Sequence, residues 1–228
     1  MDYALIMSSL PEMFDGLLIT LQLLLCTLAV GLIISVPMAL CWTEGPTPVK
    51  WLIHFYVTLF RGTPLLVQIF LIYYGLGQFE AVRDSALWPF FRDPFYCALL
   101  ALSLNTSAYT TNIIRGAIKA VPYGEIEAGR AFAMSRLTLY RYVILPQAFK
   151  MVLPAYGNEI IIILKATSLA STVTIMDLTG VAYNIFSTTY QPYEPFITAA
   201  LIYIFITFTL TRLFRLVEVR LNRQTVDW

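Results

Sequence analysis

Charge is what this chain has least of. Only 13% of its 228 residues are Asp, Glu, Lys or Arg, against about 25% in an ordinary soluble domain, which excludes a globule solvated by water on all sides. The net charge of +1 by itself says nothing about nucleic acid or acidic partners, and the distribution of charge says more; no nucleic acid is expected as a partner. A single histidine, His54, leaves no Ser-His-Asp set to assemble. HExxH and acidic clusters are missing as well, so neither a catalytic residue nor a metal site is expected, which argues against a membrane-embedded enzyme. Cys26, Cys41 and Cys97 stand far apart with no CxxC, which excludes a zinc ligand set or a disulfide framework and leaves small apolar packing residues. No GxxxxGK[ST] occurs, so the chain has no P-loop to cradle nucleotide phosphates. The opening stretch MDYALIMSSLPEMFDGLL is acidic before its first apolar run, unlike the positive start of a cleavable signal peptide.

What is present is material for hydrocarbon. The chain is 58% hydrophobic with a mean hydropathy of +0.71, and a membrane helix needs about 20 mostly apolar residues. Five segments qualify, near Phe14–Trp42, Leu52–Leu76, Phe95–Ile114, Leu153–Met176 and Phe196–Leu216. They predict an all-α integral membrane protein, read as a single transmembrane domain over residues 1–228. Lys and Arg mark the cytoplasmic side. None precedes Lys50, and none lies in the loop expected from Asp177 to Pro195. Arg115, Lys119, Arg130, Arg136, Arg141 and Lys150 follow the third span, and the C-terminal tail, from the end of the fifth span onward, carries Arg212, Arg215, Arg220 and Arg223. The N-terminus is therefore expected outside, on the periplasmic side of a bacterial inner membrane, and the C-terminus in the cytoplasm.

One charged stretch interrupts this pattern: EIEAGRAFAMSRLTLYRYVILPQAF, from Glu125 to Phe149. As one helix it brings Ile126, Ala131 or Phe132, Met134, Leu137 and Leu139 to spacings of three and four, with charges between them. Pro122 and Gly124 punctuate its start and Pro146 its end. Such a helix can lie on the membrane, pack on its own bundle or dock in a groove of a soluble partner.

Glu127-Ala128-Gly129, then Ala133, then Leu145-Pro146 resembles the EAA loop of the membrane subunits of ATP-binding-cassette importers. Several further motifs are similar to the polar amino-acid permease branch. They are Phe60-Arg61-Gly62-Thr63-Pro64-Leu65-Leu66-Val67-Gln68, Asn105 with Ala108-Tyr109, Arg115-Gly116-Ala117, Val121-Pro122, and Asn158-Glu159 with Lys165 and Thr167-Ser168-Leu169. Within that branch the chain looks most like permeases for histidine, lysine, arginine or opines. Gly129 stands where the family usually has a second Ala, Ala133 where it has Gly, and Asn112 where many relatives carry a glutamate. The first two exchanges keep small residues and are expected to preserve a close approach; the third removes an acidic contact that is not carried over.

The resemblance implies the type I importer permease fold, five transmembrane helices with a cytoplasmic coupling helix within a segment of about 116–149. Glu127, Ala128, Gly129, Ala133 and Pro146 would engage the motor, with Pro146 fixing the chain's return to the bilayer. It also implies a second permease subunit, paralogous or identical, with a heteromeric pair the usual form in this branch. Two cytoplasmic ATPase subunits binding ATP and Mg, a periplasmic substrate-binding protein and an amino-acid substrate complete the machine, surrounded by membrane lipid. No cofactor is expected in this chain. A secondary transporter or channel would instead show inverted repeats, and no clear internal repeat is present.

Candidate substrate contacts are the polar residues inside the spans. Ionisable groups in hydrocarbon face a bundle interior or a wet cavity, and the fourth span carries Glu159 and Lys165, followed by Thr167, Ser168, Ser171, Thr172 and Thr174. At 3.6 residues per turn Glu159 and Lys165 fall on different faces, so each meets something other than its neighbour. Glu159 can read an ammonium or a cationic side chain, and Lys165 a carboxylate, or each can bridge to another span. Asn105, Ala108 or Tyr109, and Asn112 fall at spacings of three to four along the third span, a polar face that suits either a transport path or hydrogen bonding between helices. With Ser168, the nominated set is Asn105, Tyr109, Glu159, Lys165 and Ser168. Arg61 is read as snorkelling from the cytosolic end of the second span beside a bend at Gly62-Thr63-Pro64, and stays outside that set. His54 is read as interfacial packing.

Overall fold

The structure is a computed structural model and describes residues 2–222; Arg223, counted above among the positive residues, lies outside the described residues. Among the described residues the architecture is all-helical. The first helix, α1, runs unbroken over Tyr3–Glu44, and the Asp2 carboxylate caps it by accepting from the Ala4 and Leu5 amides. Its 42 residues reach about 60 Å at 1.5 Å per residue, well past the expected Phe14–Trp42. Its buried positions Gly16, Thr20, Thr27, Gly31, Ser35 and Ala39 recur at spacings of four or seven residues. They form a small-residue stripe of the kind that lets membrane helices approach closely. The opposite face leaves Leu18, Leu25 and Ile33 exposed.

The second expected span is not straight. Helix α2 (Thr47–Gly62) and helix α3 (Leu65–Phe70, continued by wider and tighter turns to Gln78) meet at 104°. Two one-turn helices follow, Glu80–Arg83 and Trp88–Phe91, before α4 (Pro94–Ala120). Helix α4 is the axis of the fold: it packs most extensively on α1 and on the later α6. Its buried face holds Ser103, Asn105, Thr106, Ser107, Thr110 and Thr111.

Past Val121 come α5 (Tyr123–Ala131), a short helix Arg136–Leu139, a π-helical turn Tyr140–Ile144 and α6 (Leu145–Ala166). A tight 3-10 stretch, Thr167–Val173, leads to α7 (Leu178–Thr189), and α8 is Tyr193–Asn222. Helix α7 lies where a loop was expected from Asp177 to Pro195. It has twelve residues, too few to span a bilayer, so a span-length search passes over it. It is tied down by the wholly buried Asp177, whose carboxylate accepts from the Thr179 and Gly180 amides.

Among the described residues two helices, α1 and α8, are long and apolar enough to cross a membrane, and up to four spans result if each bent pair counts as one. The 27 residues of α4 suffice in length, about 40 Å, but their polar face lowers its hydropathy. Gly16 fixes where α1 meets α7: an added Cβ would lie 3.1 Å from both the Asp177 carbonyl and the Leu178 Cα and 2.8 Å from Val181 Cγ2. Because backbone atoms cannot rotate away, Gly16→Val is expected to cost about 1–3 kcal/mol. A lower thermal midpoint of the detergent-solubilised protein is the check.

Candidate functional site

The site begins with a break. Pro64 has no amide hydrogen, and the 104° bend between α2 and α3 frees carbonyls that the apolar interior cannot solvate. The Gln68 Nε2 recovers them, donating to the Phe60 carbonyl (2.9 Å), the Thr63 carbonyl (3.1 Å) and Thr63 Oγ1 (2.8 Å). From α4, Asn105 Nδ2 donates to the same Phe60 carbonyl (3.2 Å) and to Gln68 Oε1 (3.0 Å). Tyr56 bonds the Leu104 carbonyl at 2.7 Å and Ser107 Oγ at 2.6 Å. The bend is thus latched to α4 by side chains on both helices.

Beside this latch lies a cleft of about 480 Å³, lined by Arg61, Gly62, Thr63, Pro64, Leu65, Asn105, Tyr109, Glu159 and Ile162. Three of the nominated residues, Asn105, Tyr109 and Glu159, are brought together there. Glu159 is 3% exposed, and its carboxylate accepts from Thr106 Oγ1 at 3.0 Å. The guanidinium of Arg61 sits 5.1 Å from the centre of the Tyr109 ring, a cation–π distance. Among the described residues no ion pair joins Arg61 to Glu159.

Arg61 therefore corrects the sequence reading. It sits in the last turn of α2, about 20 Å from that helix's start by residue rise, and lines the cleft. The signal was available: an arginine immediately before a Gly-Thr-Pro break stands where the helix turns and its side chain can line the bend. Lys165 and Ser168 are not brought into the cleft. Lys165 is exposed near the end of α6, and the Ser168 hydroxyl donates to the Lys165 carbonyl at 2.6 Å. Asn112 is half-buried on α4 and His54 packs between Trp42 and Trp51, with ring centres 5.9 and 6.4 Å away.

The charged stretch 125–149 is not one helix. The chain turns between α5 and the short helix at Arg136, with Ala133 at φ 54°. That left-handed conformation explains why glycine suits the position better than any argument from close approach. Ala133→Gly is expected to stabilise the turn by about 1 kcal/mol, read as slower local amide exchange across residues 131–136. Gly129 does serve a close approach, but within the same segment: an added Cβ would lie 2.4 Å from Leu139 Cδ1. Leu139, Ile144 and Ala148 pack on Ala117, Ile118 and Val121, anchoring the stretch to the end of α4. Phe132 and Leu137, expected on a shared apolar face with Leu139, are instead 81% and 79% exposed.

Pro146 does not end a helix. The chain stays helical from Arg136 to Val173, because Pro146 stands at the start of α6 and the preceding π turn widens the ladder where its amide would be missing. Glu127, Ala128, Ala133 and Pro146 are exposed. Glu44, at the end of α1, accepts from Arg136 and Tyr140, and Gln147 donates to Glu125. Burial, together with that bond to the Glu44 carboxylate, holds the Tyr140 phenol well above its ordinary range, so it stays a donor.

Comparison with known proteins gives a consistent set. The sequence model of the family described as "Binding-protein-dependent transport system inner membrane component" matches residues 31–223. The chain is 49% identical over 223 residues, 97% of its length and 92% of the other's, to a nopaline transport system permease protein of Agrobacterium fabrum. It is 44% identical over 208 residues, 91% and 88% of the two chains, to a histidine/lysine/arginine/ornithine transport system permease protein of Salmonella typhimurium. A solved amino acid ABC transporter with histidines superposes with a TM-score of 0.88 at 38% identity, covering 96% of this chain and 99% of that one.

Proposed function

From the premise that this chain belongs to the binding-protein-dependent transport system inner membrane components, we propose that its Arg61–Glu159 cleft receives a cationic amino acid or opine during import. The chain is the permease subunit of an ABC importer of amino acids or opines; it is not itself catalytic, and the ATPase is a separate subunit. The observation that carries the substrate reading is the pairing of one guanidinium and one buried carboxylate across a single cleft. An α-carboxylate suits Arg61, whose planar fork matches it. An ammonium or guanidinium suits Glu159, which keeps acceptor capacity beyond its bond to Thr106. Tyr109 packs beside the substrate, and Asn105 holds the floor through the Phe60 carbonyl and Gln68. Lys165 and Ser168, about two turns beyond Glu159, belong in this reading to the path outside the cleft.

The remaining assignments complete the reading. The bilayer is crossed five times, by α1, the bent α2–α3 pair, α4, the α6–α7 pair and α8, with the N-terminus periplasmic and the C-terminus cytoplasmic. Residues 116–149 face the cytosol, and α5 with the following turn is the coupling element, using Glu127, Ala128, Gly129 and Ala133, with Pro146 at the root of α6. A second permease, paralogous by preference, encloses the path. Two ATPase chains carry the ATP and Mg, and a periplasmic binding protein delivers the substrate. The test is uptake into proteoliposomes holding the assembled complex, with internal ATP and external loaded binding protein. Arginine or an opine is expected to enter in strong preference to glutamine; equal entry of glutamine would remove the cationic reading.

A further inference from the structure

A second cleft, of about 410 Å³, lies away from the Arg61–Glu159 site, between the end of α1, the first turns of α2 and the last turns of α4. It is lined by Trp42, Thr47, Lys50, Trp51, His54 and Arg115. Lys50, His54 and Arg115 come from two helices distant in sequence and converge on one space that contains no carboxylate. Among the described residues neither Lys50 nor Arg115 has an acidic partner. The Arg115 guanidinium carbon lies 3.9 Å from the centre of the Trp42 ring, a cation–π contact that leaves its N–H groups without an acidic acceptor among the described residues. Its buried Nε has no hydrogen-bond partner, a costly condition for a donor unless an acceptor joins it. Cations gathered around a space without an anion describe a site for one.

We propose that this cleft binds the phosphate of an anionic phospholipid headgroup. Lipid rather than free phosphate is favoured by the surroundings: Trp51, Leu52 and Phe55, on the first turns of α2, are 69%, 69% and 65% exposed. They offer a wall on which acyl chains can lie, with tryptophans at the level they favour in a bilayer. Basic pockets between membrane helices recognise headgroups through this chemistry. Since α1, α2 and α4 all meet here, and α4 leads directly into residues 121–149, a bound headgroup clamps the helix ends that carry that segment.

The test is native mass spectrometry of the assembled transporter titrated with phosphatidylglycerol or phosphatidylcholine. The wild type is expected to retain phosphatidylglycerol preferentially. Arg115→Gln and Lys50→Gln are each expected to lower that preference about fivefold. Lys50→Gln leaves the Arg115–Trp42 stack intact and so separates binding from folding. Arg215→Gln removes a charge from α8, outside the cleft, and is expected to leave the preference unchanged. Equal retention of the two lipids, or an equal loss in Arg215→Gln, would overturn the site. Displacement of the lipid by millimolar inorganic phosphate would overturn the lipid as its occupant.

Discussion

Glu159→Gln is expected to lower uptake of arginine by roughly 30-fold, the equivalent of about 2 kcal/mol for a charge-assisted hydrogen bond to a desolvated cation. The substitution isolates charge from shape. A glutamine still accepts from Thr106 through its carbonyl oxygen, so the 3.0 Å bond between α4 and α6 can persist and the fold with it. Basal ATP hydrolysis by the assembled complex should therefore survive while transport falls. The measurement is initial uptake of labelled arginine in proteoliposomes beside the hydrolysis rate of the same preparation. Equal uptake by both forms would take Glu159 out of substrate recognition and leave it a bridge between helices. Loss of both activities together would point to assembly instead.

Glu127→Lys is expected to reduce uptake by more than about tenfold while the protein still inserts and assembles with its partner permease, since placing a like charge at a docking face costs several kcal/mol. Glu127 is exposed on α5 and its side chain holds nothing within this chain among the described residues, so its replacement has little to disrupt at home. Glu125, two residues earlier, is the contrast: it accepts from Gln147 and ties α5 to the start of α6. Glu125→Ala, which removes that acceptor, is therefore expected to act on the stability of the loop before transport. The informative readout for Glu127→Lys is stimulation of ATP hydrolysis by the loaded binding protein, which should vanish although basal hydrolysis remains. Unaltered uptake would exclude Glu127 from transmission between motor and membrane. In the proposed reading the exposed Phe132 and Leu137 are apolar companions of Glu127 on the coupling element, and their exposure accompanies the turn at Ala133.

The places where the sequence reading and the structure part company share a cause. Periodicity treats each segment as a uniform helix, and it fails where one backbone group is missing or one φ is positive. Pro64 turned the second span through 104°, an outcome hinted at by Gly62-Thr63-Pro64 but not its angle. Pro146 was read as a stop, yet it sits inside a continuous helical run because a π turn absorbs it. Ala133 was read as a small residue kept for contact, when its φ of 54° shows that conformation is the constraint. Helix α7 was too short to register at all.

By itself the sequence determined the solvent, the all-helical class and the family, because these depend on composition and on motifs whose order along the chain is their whole content. It also singled out Asn105, Tyr109 and Glu159, since a polar group inside an apolar run is costly wherever the run folds. Which of those groups share a cleft was decided only by tertiary structure. A 3.6-residue repeat fixes the face of a helix and says nothing of what stands opposite, so that Arg61 lines the same cleft as Glu159 emerged only with the bend between α2 and α3.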